Sequence, residues 1–261
     1  MKRSSGARLC STAAIGALSL ALLTGCSSDD GSKDSKDSKD SSSATASAAS
    51  DAKASTAAEL EKLLLAQGDV KGYKVDSGDD TLPKSKTAVK TDKAACDPLA
   101  WATAGLAPGD TDANASNSVT EDKSASVTAS PSEADIEDAF NVNMTFVGLS
   151  SYDGDGAEKA MKAVSDGVTA CSGGYALAAE GEKSKVTKVA SEKGTGGGDE
   201  SVAFSEDVDV DGEGTATFHT EVIRKGNTVA TFYTVNFAAL ASGKATSIPA
   251  AVVQAQVTKL K

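Results

Sequence analysis

Arginine is almost absent from this chain. Only Arg3, Arg8 and Arg224 are present, although lysine is abundant. Because bidentate recognition of phosphate or carboxylate usually depends on arginine, this excludes an anion site built from an arginine cluster. Positive charge is scarce as a whole, and the formal net charge is −11. A chain this acidic has no electrostatic attraction to nucleic acid or to anionic lipid headgroups.

Histidine is equally scarce, since His219 is the only one in the chain. Zinc sites need three or four protein ligands, so this histidine and a nearby Glu221 do not make one. A catalytic triad has no possible base other than His219. The sequence therefore predicts no catalytic residue, no metal and no cofactor, and it favours a protein without enzymatic activity.

The N-terminal segment has the features of an export signal. Lys2, Arg3 and Arg8 precede an apolar run that is too short to cross a bilayer comfortably. The run ends in Leu-Thr-Gly followed by Cys26, which resembles the lipobox of bacterial lipoproteins. That resemblance implies cleavage after residue 25 and a diacylglycerol anchor on Cys26 at the cell membrane, with palmitate among its expected acyl chains. The alternative is an ordinary secretory signal that happens to contain a cysteine.

Residues 26–54 form the predicted tether. The triplet Ser-Lys-Asp repeats three times from Ser32, and Ser, Ala and Thr follow. No apolar face can form there, so burial cannot offset the entropy of ordering the segment. Residues 55–261 have a length that suits a single folded domain. Loss of the three positive charges of the signal lowers the formal net charge from −11 to −14.

Two cysteines, Cys96 and Cys171, belong to the predicted domain. An even pair in an exported protein favours a structural disulfide. The alternative is two free thiols with a redox role. Neither cysteine lies in a Cys-x-x-Cys motif or beside a basic cluster that would lower its pKa.

Helical periodicity is clearest in three segments. Leu60, Leu63 and Leu64 share one face of a helix that Ser55 or Thr56 can cap. A second amphipathic helix follows residue 156, with Met161, Val164, Val168 and Cys171 on its buried face. A third is predicted over 249–260, with Ala250, Val253, Val257 and Leu260 inward.

Strand signals dominate between the helices. Alternation predicts strands at 138–149, 175–179 and 186–190, and a hairpin of 215–224 and 227–237 that turns at Lys225 and Gly226. Residues 77–92 and 107–118 lack periodicity and are predicted as irregular. Together these elements predict an α+β fold, with an antiparallel sheet and helices packed mainly on one face.

Two motifs resemble ligand-binding loops and are better explained otherwise. Asp207, Asp209 and Asp211 begin like a calcium loop, but the twelfth position, which needs a bidentate glutamate, is Phe218. We expect an acidic hairpin tip that does not bind calcium tightly. The glycine-rich segment 194–198 is followed by acidic residues that would repel phosphate, so we expect a flexible loop.

Arg224 stands at the best hairpin turn of the acidic chain. Asp199 and Glu200 precede a strand that could neighbour this hairpin, so either is a possible partner in a structural ion pair. The alternative is a solvated arginine at the end of a hairpin.

Short segments across the domain resemble a known family. They are residues 63–65, 68–73, 198–203 and 222–230, together with Cys96 and Cys171. They are similar to the extracellular sensor domain of PknH-type mycobacterial receptor kinases and to actinobacterial lipoproteins that share that domain. The resemblance implies a sheet with helices around a cleft for a ligand, and it transfers no catalytic residues. The kinase sensors carry two disulfides, whereas this domain can make one.

These observations favour a lipid-anchored, extracytoplasmic ligand-binding or sensor-like module. The expected partners are the membrane, through the anchor, a small-molecule or envelope ligand, and another exported protein that would receive any signal. The first alternative is a structural or protein-interaction lipoprotein of the cell envelope. The second is an envelope enzyme. An apolar cleft with a few convergent polar groups would favour the ligand-binding module over both.

Overall fold

A computed structural model describes residues 53–77, 82–111, 113–123, 141–209, 214–241 and 246–260. All of these lie in the second of the two units into which the chain divides, Ala46–Lys261. The predicted signal segment, Cys26 and most of the tether fall outside the described residues, as does Asp211 of the calcium-like motif.

The described chain forms one antiparallel sheet of nine strands in the order β1-β3-β4-β9-β8-β7-β6-β5-β2. Its strands are β1 Tyr73–Asp76, β2 Val89–Thr91, β3 Asn114–Glu121, β4 Met144–Ser151, β5 Tyr175–Ala179, β6 Glu182–Glu192, β7 Glu200–Asp209, β8 Thr215–Lys225 and β9 Thr228–Val235. The helices are α1 Ala57–Leu63, α2 Asp97–Thr103, α3 Gly156–Ala170, α4 Phe237–Ala241 and α5 Ala250–Lys259. The predicted α+β class with an antiparallel sheet is confirmed.

Helices cover both faces of the sheet, where we predicted them mainly on one. Val222 and Ile223 are consecutive in β8 and therefore point to opposite faces. Val222 packs with buried residues of α2 and α3, including Leu99 and Met161. Ile223 packs with α1 and α5, including Leu60 and Val253. The fold is thus a three-layer arrangement with two apolar cores.

The predicted hairpin is present, with small differences in its bounds. Strand β8 extends to Lys225, and the turn is made by Gly226 and Asn227, with Gly226 at φ +58°. The two regions predicted as irregular contain short strands. Strand β2 lies within 77–92, and β3 begins at Asn114. Both are short or polar, so they lack the apolar alternation by which strands are recognised.

Helix α5 buries most of the predicted face and part of the neighbouring one. Val253 and Leu260 are buried as predicted and Val257 packs on the same core, whereas Ala250 is exposed and Val252 and Gln256 are buried in addition. The Gln256 side chain accepts a hydrogen bond from the Leu65 amide at 3.1 Å and donates to the Leu63 carbonyl at 2.8 Å. Because both polar ends of its side chain are satisfied by backbone groups at the end of α1 and just after it, this glutamine can be buried beside the predicted apolar face.

Within the described ranges, no helix has the length and apolar character needed to cross a membrane.

Candidate functional site

The disulfide joins two helices on one face of the sheet. Cys96 immediately precedes α2 and Cys171 caps the end of α3, and their Cα atoms are 5.9 Å apart. Both side chains are fully buried. The bond therefore holds the start of α2 against the segment that leads from α3 into β5.

That segment places Tyr175 over the sheet. Gly174 has φ +80°, and a Cβ at this position would lie 2.1 Å from the carbonyl oxygen of Val186 in β6. Only glycine permits both the left-handed backbone and this close approach. The chain then enters β5 with Tyr175 buried against the α2–α3 core.

A buried carboxylate accepts hydrogen bonds from α2 and from β5, the two elements that follow the two cysteines of the disulfide. Glu206 of β7 is 3% exposed. Tyr175 donates from Oη to Glu206 Oε1 at 2.5 Å, and Thr103, at the end of α2, donates from Oγ1 to Oε2 at 2.9 Å. The Thr103 hydroxyl is also 3.0 Å from the hydroxyl of Thr220 in β8. One donor thus lies in α2, which follows Cys96, and the other lies at the start of β5, shortly after Cys171.

Burial governs the protonation of this cluster. It raises the pKa of the Glu206 carboxyl, and the hydrogen bonds from Tyr175 and Thr103 lower it by less. Burial, followed by the nearby Glu206, also raises the pKa of the Tyr175 phenol, which therefore stays protonated as a donor. No lysine or arginine among the described residues makes an ion pair with Glu206.

A cavity of about 510 Å³ opens over Glu206. Thr103, Tyr175 and Glu206 contribute its internal polar groups, and Glu180 and Glu182 contribute carboxylates. Most of the remaining lining is apolar, from Leu82, Pro83, Val89, Ala100, Ala104, Leu177 and Ala179. Apolar walls with a few convergent polar groups are typical of small-molecule sites.

Solved structures with low similarity to this chain include two from mycobacteria. One is the extracellular domain of PknH from Mycobacterium tuberculosis, at 13% identity and a TM-score of 0.45, covering 79% of this chain and 95% of that one. The other is an uncharacterized protein from Mycobacterium smegmatis, an Rv0999 ortholog, at 13% identity and a TM-score of 0.30, covering 78% and 94%. No known family profile and no curated protein matches the sequence. Similarities this low transfer no function, so the function is argued from the site itself.

The sequence did not point to this site, because Glu206 directly precedes Asp207 in the run of acids for which a hairpin tip was predicted. A detectable signal was present, however. Val202, Phe204, Glu206 and Val208 alternate along β7, and the first, second and fourth pack on the α2–α3 core. A single carboxylate at the third position of such a row marks an inward-facing acid.

The glycine-rich segment 194–198 is held by a second buried carboxylate, on the opposite face. Glu221 of β8 accepts hydrogen bonds from the Thr195 amide at 3.0 Å, the Thr195 hydroxyl at 2.8 Å and the Gly196 amide at 3.1 Å. A Cβ at Gly194 would lie 2.4 Å from Glu221 Oε1. The amides that a phosphate cradle would offer are therefore already used by a protein carboxylate.

His219 lies beside the same loop. Its Nδ1 is 2.7 Å from Glu192 Oε2, and its buried Nε2 has no hydrogen-bond partner among the described residues. Together with Thr195 and Glu221 it lines a smaller cavity of about 210 Å³. No group of three or more His, Cys, Asp or Glu side chains in the described part of the chain is placed to hold a metal ion.

The first two acids of the calcium-like motif lie within β7, so the hairpin tip is shorter than predicted. Asp207 pairs with Thr217 of β8 and accepts a hydrogen bond from its hydroxyl at 2.7 Å. Asp209 pairs with Thr215. Consecutive odd positions of one strand are spread along it, whereas a calcium loop must curl its ligands around the ion.

Arg224 contacts both residues proposed as its partners. Its Nε is 3.4 Å from Glu200 Oε2, and its Nη1 is 3.7 Å from Asp199 Oδ2. Asp199 is chiefly a ligand of the hairpin turn, because it accepts from the Gly226 amide at 2.7 Å. That hydrogen bond is the main cause that lowers the pKa of the Asp199 carboxyl, and the nearby Lys225 lowers it further.

We expect the Arg224–Glu200 pair to contribute little. A double-mutant cycle of Arg224→Ala and Glu200→Ala should give a coupling of about 0.5 kcal/mol, because half-exposed pairs are weakened by solvent. The cycle with Asp199→Ala should give less, since that carboxylate makes no close hydrogen bond to the guanidinium. Urea unfolding measures both. A coupling above about 2 kcal/mol would show that the pair is a buried structural element.

Replacing Glu206 by Gln should change how stability depends on pH. The folded protein binds the Glu206 proton more tightly than the unfolded chain does. The stabilisation from this group is therefore complete below its unfolded pKa of about 4.3 and is lost as pH rises through the raised folded pKa. Between these values the variant should gain on the wild type by about 1.4 kcal/mol per pH unit.

Urea unfolding across that range measures the gain. The matched control is Glu158→Gln in α3, which removes the same charge from an exposed position. It should show no such trend. Parallel curves for Glu206→Gln and wild type would contradict a raised pKa at Glu206.

Proposed function

We propose that this protein is an extracytoplasmic, lipid-anchored module that binds a small ligand and performs no catalysis. The observation that carries the proposal is the cavity over Glu206, where hydroxyl groups of α2 and β5 converge on one buried acid between apolar walls. This is the arrangement that we expected of a binding module and not of a filled structural domain.

A covalent bond and a steric restriction constrain the elements that form the proposed site. The disulfide fixes the elements that supply both donors, and Gly174 sets the entry into β5. Such preorganisation lowers the entropy lost when a ligand binds. A sensor role would add transmission of the bound state to another exported protein.

The cavity proposal is tested by a ligand screen on the purified protein. Envelope lipids and metabolites are added, and the unfolding temperature is measured, because a ligand that binds only the folded state raises it. Leu177→Trp, which fills the cavity, should abolish the shift. The control is Ala176→Trp, an exposed neighbour on the opposite face of β5. A shift that persists in Leu177→Trp would place the ligand elsewhere.

The anchor is tested separately. Cys26→Ala should leave unprocessed precursor or release the protein to the medium, because the thiol that would receive the lipid is gone. Cys10→Ala, within the predicted signal, is the matched control and should be processed normally. Unchanged membrane retention and unchanged mass of Cys26→Ala would refute lipidation at this residue.

The two alternatives make different predictions. A structural or interaction lipoprotein would bind a partner without using the cavity, so Leu177→Trp would leave its binding intact. An envelope enzyme would use His219, the only histidine, with Glu192 beside it, although the nearby Thr195 hydroxyl already donates to Glu221. Because His219 does not line the cavity over Glu206, substituting it should leave ligand binding at that cavity unchanged.

A further inference from the structure

Every charged residue that lines the cavity over Glu206 is acidic. Its lining includes Glu180, Glu182 and Glu206, and no lysine, arginine or histidine among the described residues lines it. Glu180 and Glu182 are exposed, whereas Glu206 lies in the interior. A positively charged molecule would thus be attracted by Glu180 and Glu182 at the protein surface and by Glu206 in the interior of the cavity. A negatively charged molecule would be repelled by the same carboxylates.

The Glu206 carboxylate has unused acceptor positions. An ionised carboxylate offers roughly four, and Tyr175 and Thr103 donate one hydrogen bond each, to different oxygens. Both donors are neutral hydroxyls. An ionised carboxylate in the interior is costly unless a cation and further hydrogen bonds compensate it. The site therefore lacks the one component that would make an ionised Glu206 favourable, and a ligand can supply it.

The rest of the cavity lining indicates the chemistry of the part of the ligand that does not contact Glu206. Leu82, Pro83, Val89 and Leu177 present aliphatic surface to the same cavity. Such walls gain free energy by covering an apolar body and gain nothing from a second charge. The volume of about 510 Å³ admits a molecule larger than a simple amine.

We infer that the cavity binds an organic cation, an amine with an apolar body whose ammonium group donates to Glu206. This inference rests on the proposed function and adds the chemical class of the ligand. The ammonium group provides the donors and the charge that Glu206 lacks, while the aliphatic walls enclose the body. Glu180 and Glu182 attract the cation before it enters.

Three probes of similar size and different head group test the inference. They are phenylbutylamine, phenylbutanol and phenylbutyrate, titrated calorimetrically into the purified full chain. We expect the amine to bind at least about tenfold more tightly than the alcohol, since hydrogen bonds between charged groups are the stronger ones. We expect no measurable binding of the carboxylate. These comparisons use the wild type and so do not depend on a variant that folds.

Variants then test whether the preference for the amine depends on Glu206. Glu206→Gln should bring the amine to the affinity of the alcohol, while Glu158→Gln, the exposed control with the same charge change, should preserve the preference. Leu177→Trp should weaken both ligands. A preference that survives Glu206→Gln would overturn the role of this carboxylate.

The outcomes separate the two proposals. Equal binding of amine and alcohol, or tighter binding of the carboxylate, would overturn the cation inference while leaving the cavity as a ligand site. If none of the probes binds, the cation inference fails, and the separate ligand screen with Leu177→Trp decides whether the cavity binds anything.

Discussion

Replacing Cys96 and Cys171 together by alanine is expected to lower the free energy of unfolding by about 4 kcal/mol. The bond joins residues 75 positions apart in the sequence. In the chain-entropy model, a crosslink that closes a loop of this length lowers the entropy of the unfolded chain and so stabilises the folded state by about 4 kcal/mol. Both sulfurs are also buried, so their removal leaves space in the α2–α3 core. Urea unfolding of the variant and the oxidised wild type measures the difference.

The control uses a reductant in place of a substitution. Reduced wild type should lose a comparable amount of stability, and the double variant should not respond to the reductant at all. The variant should also bind any cavity ligand more weakly, because Thr103 and Tyr175 would no longer be tied together. A loss below about 1 kcal/mol would show that packing alone holds α2 in place.

Gly148→Ala is expected to cost about 3 kcal/mol, at the upper end of what overpacking usually costs. Gly148 lies in β4, directly beneath the turn that follows α2. A Cβ there would come 2.3 Å from the carbonyl oxygen of Gly105 and 2.6 Å from Thr231 Oγ1. The threonine can rotate away, but the carbonyl belongs to the backbone, so the turn itself must move. That turn adjoins Thr103 and Ala104, which line the cavity.

Gly173→Ala is the matched control. Gly173 lies between α3 and β5, and a Cβ there has no atom within 4 Å. Its effect should stay within about 0.5 kcal/mol, as for most exposed substitutions. If Gly148→Ala is as mild as Gly173→Ala, the turn after α2 is not seated on β4 as described.

The elements that could be predicted are those in which local pattern and burial agree. The β8–β9 hairpin alternates along its length, and α3 repeats its apolar residues at helical spacing, so both were found close to their observed bounds. The pairing of Cys96 with Cys171 followed from counting the cysteines of a chain predicted to be exported. None of these required knowledge of distant contacts.

The elements that could not be predicted are those in which a polar residue is buried by distant partners. Gln256 is hydrogen-bonded to backbone groups 191 and 193 residues away in the sequence. Glu206 is hydrogen-bonded to hydroxyl groups 103 and 31 residues away. Residue type alone assigns each to the surface, and only the alternation of its neighbours in β7 marks Glu206 as inward-facing. The candidate site consists largely of such residues, which is why the fold was more predictable than the site.

The sheet ends in its two shortest strands, β1 with four residues and β2 with three. Each carries an exposed lysine, Lys74 and Lys90. Long, flat sheet edges recruit strands from other molecules, whereas short edges that bear lysine resist such pairing. The domain should therefore remain monomeric and free of fibrils when it is crowded at high concentration.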